Sequence, residues 1–366
     1  MGRVLGPVLS GGVSLIAALA ALSPATAQDG RTPLFTADVN LVTIPVTVRD
    51  ESGPLADLDQ ADFEVFEGGQ EVGISVFERS TDRPLSVVLM LDTSLSTAIQ
   101  LSYEKESAKR FLERLLSSQE HPEDVAAVYS FSSEIVVLED FTRNRKTLGA
   151  GLGRARPQTG TSVYDAITLA SEELARRTGR RVIVLITDGG DTTSYTSFDD
   201  AMRSAHLAEA AIYPLIVLPI RSDAGRNRGG EHALMTLASK TGGESFVQLG
   251  VEDLDAAFDE VLRSLRTQYL LGFYPRSDMS ETRGVLREVQ VRVRHEGATV
   301  LARSGYYERE PTPEPASGSG RQSPSAPVAV PSRPRTAKPA EEPPAPLSTP
   351  PARAGRRPGS TLRPRP

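Results

Sequence analysis

The sequence predicts an α/β fold: a doubly wound, mostly parallel six-stranded sheet inserted in a small β-sandwich-like domain, with a disordered Pro-rich tail. Three observations predict it. From about residue 84 to 267, short apolar runs alternate with helical stretches of ten or more residues, the pattern of βα units. On both sides of that region apolar residues recur at every second position, as in half-buried strands. From about residue 311 onward the chain holds 16 of its 27 prolines, and such a segment buries too little apolar surface to fold.

The first 27 residues read as a secretory signal. Arg3 supplies the positive region, residues 13–22 form an apolar stretch too short to span a bilayer, and Ala25-Thr26-Ala27 is a cleavage site before Gln28. The expected location is therefore outside the cytoplasm, periplasmic or extracellular. No Cys follows the signal, so a lipid-anchored precursor is excluded and no disulfide supports the fold. A sizeable core must do so. No later segment has 18 consecutive apolar residues, so no further membrane span is expected.

The net charge of −6 gives no indication of nucleic-acid binding. From residue 311 onward the tail carries nine Lys/Arg against three Glu, a net of +6, which leaves −12 for the rest. It reads as a solvated spacer extended by its prolines; weak contact with an anionic envelope is the alternative.

Residues 28–82 read as strands. Val42, Ile44, Val46 and Val48 alternate with other residues, and Pro45 suggests an edge strand. Segments 63–67 and 74–77 flank Gly68-Gly69, a hairpin signal. Period two returns in 268–309, at 269–274, at Val289, Val291 and Val293, and after Gly297 at 299–301. Neither flank alone has enough strands for a stable sandwich. The two are expected to pair into one domain around residues 83–267.

Within 83–267 the strand candidates are 85–91, 125–131, 135–138, 182–187, 212–218 and 244–248. Helical stretches lie around 103–116, 163–176, 198–209, 232–240 and 254–265. Only 135–138 follows its predecessor after a short turn, so it should be an antiparallel edge strand. The order 3-2-1-4-5-6 would join the tips of the first and fourth strands at a switch point, where open α/β sheets bind ligands.

Those tips carry the candidate site. Asp92-Thr93-Ser94-Leu95-Ser96 ends the first strand, Gly160-Thr161-Ser162 opens a helix, and Asp188-Gly189-Gly190 ends the fourth strand. Carboxylates and hydroxyls without His or Cys suit a hard cation such as Mg2+. Each piece also has a local explanation. Ser94 or Ser96 could cap a helix, Ser162-Val163-Tyr164-Asp165 fits a capping box, and Asp188-Gly189-Gly190 is ordinary turn chemistry.

In this order and spacing the three pieces resemble the metal-ion-dependent adhesion site of the von Willebrand factor type A domain, also found as the integrin I domain. The resemblance covers roughly residues 83–267. The flanks resemble a secreted bacterial family related to that domain, at Gln268-Tyr269-Leu270-Leu271-Gly272-Phe273-Tyr274-Pro275 and at Ser304-Gly305-Tyr306-Tyr307. The resemblance implies that Ser94 and Ser96 bind the metal through their hydroxyls and that Thr161 is a third, exchangeable hydroxyl ligand. Asp92 and Asp188 would hold coordinated waters, or bind directly when no ligand is present. The cofactor would be Mg2+, or Mn2+ or Ca2+, and a partner protein would supply an Asp or Glu to the open position. Leu95 stands where the family often has Gly and would narrow the loop or bias its closure. Asp191, just beyond, would support Asp188 or be solvated.

Enzyme classes fit less well. A subtilisin-like hydrolase needs a His base; of His121, His206, His232 and His295, His121 lies in a polar, Pro-containing loop unlike such sites. A dehalogenase-like phosphatase needs a second acid where Ser94 stands. The G-x-x-x-x-G-K-[ST] and H-E-x-x-H patterns and any Cys nucleophile are absent. The expectation is an exported, non-enzymatic interaction or adhesion module. The alternative is a metal-independent α/β scaffold with a degenerate site.

Overall fold

A computed structural model of the chain describes residues 41–79, 83–217, 227–276 and 284–307. The expected signal and the Pro-rich tail lie outside these residues. Before the α/β region come β1 (Val42–Asp50), β2 (Gly53–Pro54), β3 (Phe63–Glu67), β4 (Gln70–Val72) and β5 (Val76–Arg79). The α/β region contains β6 (Leu85–Asp92), α1 (Leu101–Leu115), β7 (Val125–Phe131), β8 (Ile135–Thr142), α2 (Arg145–Arg154), α3 (Val163–Ala175) and β9 (Arg180–Thr187). It continues through α4 (Phe198–Ala208), β10 (Ala210–Val217), α5 (Arg228–Thr241), β11 (Phe246–Leu249) and α6 (Leu254–Arg266). Strands β12 (Tyr269–Phe273), β13 (Leu286–Val293), β14 (Thr299–Ala302) and β15 (Gly305–Tyr307) follow. Among the described residues, no helix is long and apolar enough to cross a membrane.

Six strands form one sheet in the order β11-β10-β9-β6-β7-β8. All neighbours are parallel except β8, which runs antiparallel to β7 at the edge. The chain builds outward from β6 to β8, then crosses to β9 on the other side of β6. Strand β6 is buried along its whole length, so apolar residues run unbroken from Val87 to Leu91 rather than alternating. Its side chains still divide by parity. Val87, Leu89 and Leu91 join Phe111, Leu152 and Phe258 of α1, α2 and α6 on one face. Val88 and Met90 join Ile167, Ala205 and Leu237 of α3, α4 and α5 on the other.

Helix α2 has no counterpart among the sequence-based helices, because Gly149, Gly151 and Gly153 lower its intrinsic propensity. Asn144 starts it by accepting from the N–H groups of Lys146 and Thr147. A Cβ on Gly151 would stand 3.1 Å from the Cβ of Glu139. The bare backbone there lets α2 lie closely on β8.

The other strands form two further sheets, β14-β1-β12-β5 with β2 beside β1, and β15-β13-β3-β4. Each combines strands from before and after the α/β region. Ile44, Val46, Phe63, Val65, Leu271 and Val291 share one core between them. Two expectations are corrected here. Strand β1 is not at an edge, since it lies between β12 and β14; Pro45 sits just past the stretch paired with β14, which covers Val46 to Arg49. Its missing N–H therefore takes no bond from β14. The Gly68-Gly69 hairpin pairs β3 with β4, and β5 instead pairs with β12 in the other sheet. Both glycines have positive φ, 55° and 80°, as a two-residue hairpin turn requires.

Deleting residues 268–309 would strip β1 of β12 and β14 and leave it only the two-residue β2. Limited proteolysis should then cut within residues 41–79 of the deletion variant and leave that stretch intact in the full chain. Equal protection in both would show that the two flanks do not depend on each other.

Candidate metal centre

Asp92 is the last residue of β6 and is fully buried. Its neighbour across the sheet is the end of β9. The Thr187 hydroxyl donates to Asp92 Oδ2 at 2.7 Å, and the Ser94 N–H donates to Oδ1 at 2.8 Å. Thr187 Oγ1 in turn accepts from the Gly189 N–H at 3.1 Å. The Thr97 hydroxyl reaches the carbonyls of Asp92 and Ser94 at 2.9 and 3.1 Å, which curls the loop back over the strand tip. In that curl the Ser94 and Ser96 hydroxyls lie 2.9 Å apart. Leu95 is 61% exposed. It projects into solvent and does not fill the loop.

Thr161 arrives on a second loop. Gln158 N–H donates to Thr93 O at 2.8 Å, and Ser162 N–H to Ser132 O at 2.7 Å. Gly160 has φ 76°, and a Cβ there would come within 3.0 Å of Ser133 and Thr193. The glycine lets this loop thread between its neighbours. On the other side the Thr161 N–H donates to Thr192 Oγ1 at 3.0 Å, and Thr161 O accepts from the Thr192 N–H at 2.8 Å. Backbone bonds thus lace the Asp92 loop to the Thr161 loop and the Thr161 loop to the segment after Asp188. Thr161 is buried and Asp188 half-buried.

Asp191 has another role than support for Asp188. Its Oδ1 accepts from the N–H groups of Val163 and Tyr164 at 2.8 and 3.3 Å and from the Ser194 hydroxyl at 2.5 Å. It therefore caps the N-terminus of α3 from a distant loop. The local capping box is not formed. Ser162 makes no side-chain cap bond, and Asp165 accepts instead from the N–H groups of Tyr195 and Thr196. Neither Ser94 nor Ser96 caps α1, which begins after Gln100.

Burial pushes the Asp92 carboxyl up to about 6; hydrogen bonds from Thr187 and Ser94 oppose this, and the charge of Asp188 adds to it. Sequence reasoning missed a third acid. Glu104 on α1 is fully buried, and neither carboxylate oxygen has a hydrogen-bond partner. Burial pushes it up to about 8, with Asp92 and Asp188 adding to the shift. Its signal was positional: Leu101, Glu104, Ala108, Leu112 and Leu115 share the buried stripe of α1. An acid in that stripe is an exception that calls for a cause. Among the described residues, no group of three or more His, Cys, Asp or Glu could hold a metal ion.

Residues 87–190 match the family model for the von Willebrand factor type A domain. Similar solved structures include the vWF domain of the type V pili tip protein Mfa5 from Porphyromonas gingivalis. It is 16% identical, with 51% of this chain and 96% of that chain covered and a TM-score of 0.43. BatB from Bacteroides thetaiotaomicron is 20% identical, with 49% and 98% covered and a TM-score of 0.39. The pilus adhesin SpaC from Lactobacillus rhamnosus GG is 10% identical, with 70% and 48% covered and a TM-score of 0.42. No curated protein matches the chain.

The raised acids predict a pH dependence. In EDTA the folded protein keeps its protons on Asp92 and Glu104 up to about pH 6 and about pH 8. The unfolded chain releases them near the ordinary carboxylate values of about 4. The unfolded state then binds fewer protons, so stability falls as pH rises from about 4 to about 8. Glu104→Gln should abolish the part of this decline between about pH 6 and 8 and melt above the wild type at pH 8. Melting curves that stay parallel for the two proteins across that window would contradict the reading.

Proposed function

We infer that this chain, which carries a von Willebrand factor type A domain, is an exported, non-enzymatic interaction module that captures a protein partner through a divalent cation. The boundaries would be 28–82 and 268–309 for the flanking sheets and 83–267 for the A domain. Ser94, Ser96 and Thr161 would hold the cation through their hydroxyls, with Asp92 and Asp188 holding its waters. The observation that carries this is the 2.9 Å separation of the two serine hydroxyls beside a buried, doubly hydrogen-bonded Asp92. Adjacent oxygens of a Mg2+ octahedron with bonds of about 2.1 Å stand about 3.0 Å apart. The acids fit the same reading. Asp92, Asp188 and the unpartnered Glu104 gather three carboxyl groups, two of them held protonated above their ordinary range, whose ionisation a cation would favour.

The bound cation, Mg2+ or alternatively Mn2+ or Ca2+, supplies a coordination position for the Asp or Glu carboxylate of the partner. Hydroxyl ligands are neutral, so they leave its charge available to that carboxylate. Leu95 and Ile99, 61% and 56% exposed, follow Asp92 in the chain and the fully exposed Tyr195 follows Asp191, and these side chains would supply an apolar rim. Such a rim excludes water from a central polar contact. Export rests on the N-terminal signal, and the basic tail would act as a spacer or a weak envelope contact. A second reading, a metal-independent scaffold, is favoured by one observation: the acids alone form no metal-holding group among the described residues.

Metal removal separates the two readings. At a hundred times its dissociation constant a cation stabilises the folded state by about 2.7 kcal/mol. EDTA should lower the melting temperature of the wild type and leave Asp188→Ala unchanged. Without metal, Asp188→Ala should melt above the wild type, because it relieves repulsion with Asp92 and Glu104. Partner capture should fail in EDTA, recover with Mg2+, and be lost when one acidic residue of the partner becomes Ala. Capture that persists in EDTA would establish the scaffold reading instead.

A further inference from the structure

Helix α1 carries Glu104 to the metal centre. Thr97 turns the loop after β6: its hydroxyl reaches the carbonyls of Asp92 and Ser94, and its own carbonyl accepts from the N–H groups of Gln100 and Leu101. The Glu104 N–H then donates to Gln100 O at 3.1 Å. A continuous run of hydrogen bonds thus fixes the first turn of α1 on the tip of β6. Leu101, Glu104 and Ala108 follow one another at helical spacing and are all buried, so they share the face that meets the sheet. Leu101 and Ala108 belong to one core cluster with Leu91, the residue before Asp92. The Glu104 carboxyl therefore enters beside that tip, and the charges that act on it are those of Asp92 and Asp188.

Among the described residues, Glu104 is the only carboxyl with both oxygens buried and without a hydrogen-bond partner, and it makes no ion pair. Packing does not ask for an acid at this place. Leu101, Ala108, Phe111, Leu112 and Leu115 make up most of the rest of the buried stripe, and a leucine would leave no polar atom to satisfy. A buried carboxyl without a partner destabilises the fold. An ion or an ordered water that meets it is one explanation for such a group. The acids nearest the serines are also partly used. Each oxygen of Asp92 already accepts one hydrogen bond, from the Ser94 N–H and the Thr187 hydroxyl. Mg2+ takes an octahedron of oxygens and keeps several of them as water, and each of those waters has two protons to place. The oxygens of Glu104 accept none from the protein.

We propose that Glu104 is a positioning residue of the metal centre, its carboxyl oxygens accepting hydrogen bonds from water bound to the cation on the side of α1. This rests on the reading that Ser94, Ser96 and Thr161 hold a divalent cation. Glu104 raises the affinity without touching the metal, which agrees with the absence of a metal-holding cluster among the His, Cys, Asp and Glu of the described residues. Groups that orient a metal's own ligands in this way are worth about 10–100-fold in affinity. The same contact gives the buried carboxyl its partner and ties the first turn of α1 to the cation.

The test is calorimetric titration of Mn2+ into the full chain as wild type, Glu104→Gln and Glu104→Leu at one mildly alkaline pH, with melting curves of each in EDTA. Both variants should bind Mn2+ about tenfold or more weakly than the wild type. In EDTA both should melt above it, because the unpartnered buried acid is gone. The two effects have opposite signs. A residue with only a structural role would move the melting temperature and leave the affinity alone. Leucine matches the apolar stripe of α1, so Glu104→Leu decides the matter if Glu104→Gln does not fold. Wild-type Mn2+ affinity in either folded variant would overturn the proposal and leave the metal reading standing. Absence of Mn2+ binding by the wild type would overturn both.

Discussion

The Thr187–Asp92 hydrogen bond, 2.7 Å long and fully buried, joins the tips of the two central strands. It depends on β6 and β9 being neighbours, and the rest of the centre depends on it. One carboxylate oxygen faces Thr187 and the other the Ser94 N–H, so the acid sets the direction in which the chain leaves β6. The Ser94–Ser96 curl follows from that direction. A carboxylate buried this way is costly unless hydrogen-bonded, and two donors offset part of the cost. The remainder shows as the raised protonation point of Asp92.

The same tip gathers three acids at one end of the sheet, while the other end gathers arginines. Such polarity is set at the strand ends and in what adjoins them: Asp188 follows β9, Glu104 enters from the first turn of α1, and Arg180 and Arg181 open β9. Separating the two charges keeps the acids from being neutralised internally.

Much of this is legible in the sequence. Strands β6, β7, β9 and β10 are continuous apolar runs because they are buried on both faces, and runs of that kind are conspicuous. Asp92, Ser94, Thr161 and Asp188 stood out through their places at strand and helix ends. What escaped is what tertiary contact decides. Glycine-rich α2 forms because β8 accepts its bare face. Pro45 is tolerated inside a sheet because β14 stops one residue short of it. Asp191 caps a helix some 28 residues earlier in the chain, a partnership no local pattern encodes. Glu104 looked like any helical acid until its place in the buried stripe of α1 was compared with its neighbours.

Direct titration of Mn2+ into the full chain and into Ser96→Ala tests the central claim, since Ser96 is exposed and, among the described residues, its hydroxyl bonds Ser94 alone. Its removal should leave the fold undisturbed. The account predicts one ion per wild-type chain with millimolar or tighter affinity, displaced by Mg2+, and a loss of about tenfold or more in Ser96→Ala, equivalent to about 1.4 kcal/mol. No bound ion in the wild type, or equal affinity in the two proteins, would contradict it.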